Sequence, residues 1–158
     1  MKSGKNISLK FDSKNHPDIK KYNIGIVVSE WNKDITKNLL SGAIDTLTQQ
    51  GIQKENIFIQ WVPGSFELIF GSKVLSEKDF DVIIAIGCVI KGETDHYDYI
   101  CSSVSQGIMQ LNLTSSMPII FCILTDHNKQ QSIDRSGGKY GNKGVECAFA
   151  ALRMLSIK

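Results

Sequence analysis

The stretch Val82-Ile-Ile-Ala-Ile-Gly-Cys-Val-Ile90, running on through Lys91-Gly-Glu-Thr-Asp-His96, decides the fold. Val82 to Ile86 has the length and β-branched content of a strand buried on both faces. Beyond it Tyr97, Ile100, Cys101, Val104, Ile108 and Leu111 recur at helical spacing. A strand ends here and a helix begins. Between them, Gly92, Glu93 and Thr94 make a turn whose N–H groups point outward at a helix N-terminus, where unpaired donors and the helix dipole favour an anion. One position into the helix sits His96, an imidazole able to take or give a proton near neutral pH. Taken alone, these residues also fit an ordinary cap and a surface histidine; the rest of the chain has to decide.

Working outward, the same unit repeats. Ile24 to Val28 is a short β-branched run, followed by Ser29-Glu30-Trp31-Asn32 and a helical face of Ile35, Leu39, Ala43 and Leu47 that Gly51 closes. Ile57 to Val62, the turn Pro63-Gly64-Ser65 and a helix over 66–75 form another unit. Ile119 to Thr125 leads into C-terminal helices, the last with Val145, Ala148, Phe149, Leu152 and Leu155 on its core stripe. Strands separated by helices predict an α/β fold: parallel strands, right-handed crossovers and helices on both faces of the sheet. Ligands of such sheets bind beyond the strand C-termini. Glu30 to Asn32, Pro63 to Glu67, Val89 to His96 and Thr125 to His127 are therefore expected along one edge. Together they supply an aromatic plate, a carboxylate, a histidine and a glycine turn, suited to a polar, planar, partly anionic small molecule.

The whole chain is consistent with this. Its 158 residues suit one domain, burying roughly two-thirds of the extended-chain surface. Cys88, Cys101, Cys122 and Cys147 fall inside apolar patterns with no C-x-x-C spacing, which reads as free buried thiols in a reducing compartment. No apolar run approaches the ~20 residues that span a bilayer, and the N-terminus has no secretory core, so a cytoplasmic protein is expected. Net charge is +2, but residues 1–21 carry six lysines against two aspartates. That basic arm, with weak alternation at Ile7, Leu9 and Phe11, reads as a lone strand seeking a sheet edge, and residues 22–158 as a single domain. The arm lacks arginine and interleaved aromatics, so no nucleic-acid partner is indicated. In Ile133 to Gly144 the glycines do not make a phosphate loop, because Tyr140 follows Gly138-Lys139; a glycine-ended short helix and a loop are expected. Asp95, His96 and Asp98 are too close in sequence to face one point on a helix, so no metal set is read.

Three segments, Trp-Val-Pro-Gly-Ser-Phe-Glu at 61–67, Gly-Cys-Val-Ile-Lys-Gly-Glu-Thr-Asp-His-Tyr-Asp-Tyr at 87–99 and Gly-Asn-Lys-Gly-Val-Glu-Cys-Ala at 141–148, resemble the lumazine synthases in order and spacing. The resemblance runs from about Tyr22 to Leu155 and implies a flavodoxin-like three-layer α/β/α sandwich with a central parallel sheet. It implies a transferase that condenses 5-amino-6-(D-ribitylamino)uracil with 3,4-dihydroxy-2-butanone 4-phosphate, giving 6,7-dimethyl-8-ribityllumazine, phosphate and water, the penultimate step of riboflavin biosynthesis. No metal or organic cofactor is implied. By matched position, Trp31 stacks on the pyrimidine, where the family more often has Phe. Ser65, Phe66 and Glu67 hold the ribityl chain, and Val89 and Ile90 receive the uracil edge. Gly92, Glu93 and Thr94, completed by Arg135, cradle the butanone phosphate. His96 matches the general acid/base, Phe121 an aromatic wall, and Lys143 with Glu146 a nearby charged pair. Without the resemblance, Phe121 reads as plain core, Arg135 and Lys143 as solvated charges, Ser65 as a helix N-cap and Glu67 as a helix-dipole partner.

The resemblance also implies a homo-oligomer, with Phe121 and Arg135 reaching the site from a neighbouring subunit and the N-terminal strand adding to a neighbour's sheet edge. Family members form pentamers, often twelve as an icosahedral shell, and riboflavin synthase is the protein partner it adds. An insertion after the position of Gly138 accompanies free pentamers; here Gly138 runs directly into Lys139, which permits a shell. His127, Lys129 and Gln130 depart from the family's usual residues, in a loop to which no chemistry is assigned. Two other readings compete. A flavin-binding electron carrier would need a hydroxyl-rich loop where Ser29-Glu30-Trp31-Asn32-Lys33 stands, and a non-catalytic lumazine-binding protein would be expected to lack His96 or the phosphate turn.

Overall fold

The structure, a computed structural model, describes residues 10–157. Its elements follow the order β1 (Ile24–Ser29), α1 (Lys33–Gln49), β2 (Ile57–Val62), α2 (Leu68–Ser76), β3 (Val82–Ile90), α3 (His96–Thr114), β4 (Ile119–Asp126), α4 (Lys129–Arg135), β5 (Ser136–Gly138), β6 (Gly141–Asn142) and α5 (Lys143–Leu155). β1 to β4 form one parallel sheet in the order β2-β1-β3-β4, with Ile24 opposite both Ile57 and Val82, and Ile86 opposite Cys122. The expected three-layer α/β/α architecture is the observed one.

Period two sorts the sheet onto its two helix layers. Ile24, Ile26, Val28, Ile84, Ile86 and Leu124 pack with Leu39, Leu47, Ala148 and Leu152 of α1 and α5. Val27, Ile83, Ala85 and Ile123 pack with Leu68, Leu75, Val104 and Ile108 of α2 and α3. The central strand β1 is buried throughout, whereas Phe58 and Ile59 of the edge strand β2 are exposed. Layer spacing depends on two glycines. A Cβ on Gly144 would run into the Leu39 carbonyl, so α5 lies directly on α1, while one on Gly87 would meet Ser65 Oγ and Leu68 Cδ1, each at 2.8 Å. Gly87 thus lets the β2–α2 turn settle onto β3.

Four expectations need amending. α2 starts at Leu68, because Ser65 to Glu67 form a turn closed by Leu68 N–H donating to the Ser65 carbonyl at 3.3 Å. The loop after α4 contains an antiparallel pairing, Ser136 with Asn142 and Gly138 with Gly141, turned by positive φ at Gly137 (123°) and Gly141 (81°). Strands this short leave no alternation to read. Of the cysteines, Cys88, Cys122 and Cys147 are buried and Cys101 is half-buried, all as free thiols. Finally, Ile7 and Leu9 lie outside the described residues, and Phe11 stacks on His16 at 4.7 Å rather than joining a strand. The arm's last part, a 3-10 turn over Pro17–Lys21, buries Ile19 in the core. Among the described residues no helix is long and apolar enough to cross a membrane.

Candidate active site

Because β1 to β4 are parallel, their C-terminal ends share one edge, and a cleft of about 740 Å³ opens there. Trp31 from the β1–α1 loop, Ser65, Phe66 and Glu67 from the β2–α2 turn, Val89 and Ile90 from β3, and Gly92, Thr94 and His96 from the β3–α3 turn all line it. Pro63 and Gly64 of the expected edge also line it, and three residues to which the sequence did not point, Cys88, Tyr97 and Ile100, complete the wall.

Each part is held in place from below. Trp31 donates its backbone N–H to the Pro63 carbonyl at 3.0 Å, continuing the β1–β2 pairing past the strand ends. Its neighbour Asn32 takes a left-handed conformation (φ 56°, ψ 46°) and reaches across to the Cys88 carbonyl, donating through Nδ2 at 3.0 Å. Asparagine tolerates that conformation better than most residues. The loop is pinned at both ends, and the indole stands out over the cleft, 73% exposed.

Ser65 does not cap α2. Its hydroxyl is buried and has no partner among the described residues. Glu67 occupies the cap position with no side-chain hydrogen bond to the helix, so its carboxylate is available to a hydroxyl-bearing ligand. Across the cleft, Lys91 N–H pairs with the Asp126 carbonyl at 2.9 Å, and the chain then turns into the 19-residue helix α3. Among the described residues the N–H groups of Gly92, Glu93 and Thr94 take no hydrogen bond, and Gly92 faces open space. The His96 N–H meets Thr94 Oγ1 at 3.4 Å. Free donors at the start of a long helix are the physical requirement for an anion. Glu93 itself is exposed and off the cleft wall.

The environment sorts the remaining titratable groups. Desolvation pushes the Cys88 thiol up to about 11, outweighing its hydrogen bond with Ser132, so the thiol beneath the cleft stays neutral. Burial likewise raises Tyr97, whose ring meets His127 edge-on at 6.3 Å. Among the described residues no group of three or more His, Cys, Asp or Glu could hold a metal ion.

Phe121, Arg135 and Lys143 lie off this cleft. Phe121 sits on the edge strand β4 and is 38% exposed, which corrects its reading as plain core. Lys143 opens α5 and pairs with Glu146 at 2.7 Å. Burial disfavours its ammonium, yet the paired Glu146 carboxylate holds its pKa above the ordinary value. α5 is fastened by Asn142, which accepts from Gly144 N–H at 2.8 Å and donates to the Asn38 carbonyl at 2.9 Å. Arg135 ends α4, half-exposed, with its Nε 3.5 Å from Asp126 Oδ1.

The 6,7-dimethyl-8-ribityllumazine synthase family model matches residues 21–158. The chain belongs to this family. It is 53% identical to the 6,7-dimethyl-8-ribityllumazine synthase of Parabacteroides distasonis over 148 residues, covering 93% of this chain and 92% of the relative. It is 50% identical to that of Christiangramia forsetii, covering 98% and 93%, and 52% identical to that of Flavobacterium psychrophilum, covering 99% and 82%. The family is one of enzymes of riboflavin biosynthesis, and its match begins at Lys21, where the basic arm ends.

Proposed function

We propose that this chain condenses 5-amino-6-(D-ribitylamino)uracil with 3,4-dihydroxy-2-butanone 4-phosphate to 6,7-dimethyl-8-ribityllumazine, phosphate and water. The observation that carries the reading is that one cleft gathers an exposed indole, an unpaired serine hydroxyl with a free carboxylate, an anion-ready helix terminus and an imidazole. Each answers a part of the substrates. Trp31 lies against the heterocycle, where indole supplies a large stacking surface. Ser65, Phe66 and Glu67 hold the ribityl chain, Val89 and Ile90 meet the uracil edge, and Gly92, Glu93 and Thr94 take the phosphate.

The reaction asks mainly for positioning. The pyrimidine amine is already a nucleophile and the butanone carbonyl an electrophile, so holding them side by side contributes about 7 kcal/mol or more in favourable cases. The amine adds to the carbonyl and water leaves to give an imine. Loss of a carbon-bound proton and of phosphate follows, and the ribityl-bearing nitrogen closes the ring on the remaining carbonyl with loss of a further water. His96 takes and returns the protons that these steps move. No metal or organic cofactor is called for.

A second copy of the chain completes the site in this reading, supplying Phe121 and Arg135. Support comes from the resemblance, from the exposure of Phe121 and Arg135 away from their own cleft, and from the large apolar side chains left open on the molecule, among them Phe66, Phe70, Met109 and Leu113. The open edge of β2, with Phe58 and Ile59 exposed, suits an added strand from a neighbour. We place the assembly at a pentamer or twelve pentamers. Mixing purified protein with both substrates tests the function: fluorescent lumazine and inorganic phosphate are expected in equal amounts, and production of neither overturns it.

A further inference from the structure

Outside the cleft, the end of β4 and helix α4 share a buried polar relay. Asp126 is the last residue of β4, and its side chain is only 8% exposed. Its Oδ2 accepts from Ser132 Oγ at 2.8 Å, and Ser132 is itself fully buried. Cys88 Sγ lies 3.4 Å from the same hydroxyl. Burial keeps that thiol protonated, so the proton order is fixed: Cys88 donates to Ser132, and Ser132 donates to the carboxylate. The Asp126 carbonyl, bonded to Lys91 N–H at 2.9 Å, ties the relay to the strand that carries the phosphate turn. What remains is Oδ1, and it faces Arg135 Nε at 3.5 Å.

Arg135 is therefore braced on two sides. Asp126 stands at its Nε edge, and the Tyr140 ring lies under its guanidinium carbon, 5.5 Å from the centroid. Its terminal nitrogens take no hydrogen bond among the described residues, and half of the side chain is exposed. A guanidinium held by Nε and by its face leaves its two-pronged end for an outside oxyanion. The placement of a buried carboxylate here calls for an explanation, because it offsets part of the positive charge that a phosphate would feel. Orientation supplies one: a long side chain ordered beforehand need not be ordered on binding.

We propose that Asp126, anchored by Ser132, is a positioning residue that fixes Arg135 by its Nε edge and presents the terminal nitrogens, already oriented, to the phosphate group of the substrate. The proposal rests on reading Arg135 as a phosphate ligand in a neighbouring subunit's site. Orientation outweighs charge here, since the ion pair is long and Arg135 half-exposed, where solvent screens the loss of attraction.

Calorimetric titration of the full-length protein with inorganic phosphate tests this independently of turnover. Asp126→Asn is expected to weaken phosphate binding about 3- to 10-fold, the loss for one rotamer-rich side chain ordered only on binding. Ser132→Ala, which alters neither charge but removes the hydroxyl that anchors the carboxylate, should weaken it by less in the same direction. In an Arg135→Ala background Asp126→Asn should have no further effect. In turnover, Asp126→Asn should raise KM for the butanone phosphate and leave the pyrimidine KM unmoved, a split that loss of packing alone would not produce. Unchanged or tighter phosphate binding in Asp126→Asn, a further loss in the double variant, or no phosphate binding by the parent protein overturns the proposal. Should Asp126→Asn fail to fold, an unchanged affinity in Ser132→Ala does so. A parent protein that turns over both substrates without this phosphate pattern sinks the relay alone, and the pattern without turnover sinks the proposed reaction alone.

Discussion

Replacing Trp31 by alanine should weaken binding of the lumazine product about 30-fold while leaving the fold untouched. The indole is 73% exposed in the free protein, and its backbone, not its side chain, carries the contact to Pro63. A tryptophan presents roughly 200 Å², so a heterocycle stacked on one face of this largely exposed ring covers roughly 75 Å² of apolar surface. At about 25 cal/mol per Å² that contributes about 2 kcal/mol, or roughly 30-fold in Kd. The lumazine's own fluorescence reports the titration, and a melting curve serves as the control. Trp31→Phe should recover most of the affinity, because a smaller plate still stacks. Wild-type affinity in Trp31→Ala, or a lowered Tm without an affinity change, would refute the stacking and with it the orientation of the pyrimidine.

Other outcomes follow from the same geometry. His96→Ala should lower kcat by about 100-fold, at the low end for general acid–base catalysis, with product affinity retained; complete loss of activity with affinity intact would mean that the imidazole does more than relay protons. Arg135→Ala should raise KM for the butanone phosphate, and an unchanged KM would remove it from the phosphate site. Gly144→Ala forces a Cβ into the Leu39 carbonyl and should cost about 3 kcal/mol, lowering Tm by roughly 6 to 12 °C; an unaltered melting curve would show that α5 can slide on α1. The folded state holds the Cys88 proton more tightly than the unfolded chain does, with the thiol raised from 9.0 to about 11. Its contribution to stability is therefore full below pH 9 and is lost as pH rises through about 11. At pH 8 the native thiol should resist iodoacetamide, and rapid labelling of Cys88 would contradict its burial.

The parallel sheet was legible because each of its strands is a compact apolar run followed by a helical stripe, and parallel order alone brings Trp31, Glu67, Gly92 and His96 to one edge. The cleft's floor and supports were less so. Tyr97 and Ile100 face the cavity from the first turns of α3, where sequence spacing marks them simply as part of a core stripe. Asn32 looked like punctuation between strand and helix, and only its left-handed backbone and its reach to Cys88 make it the brace for Trp31. Asp126 stood in the sequence only as part of the Thr125 to His127 edge and nothing singled out Ser132, since a relay across six residues and a neighbouring strand depends on how α4 folds back over β3. Phe121 failed as a core residue for a topological reason: alternation marks the face of a strand, but not whether the strand lies at the edge.

The most direct test of the site is a structure of the assembled protein with lumazine product and inorganic phosphate. The pyrimidine ring should lie against Trp31, the ribityl chain should reach Ser65 and Glu67, and phosphate should sit on the Gly92 to Thr94 turn with Arg135 of a second copy beside it. Product bound on another face, or phosphate held far from that turn, would contradict the account.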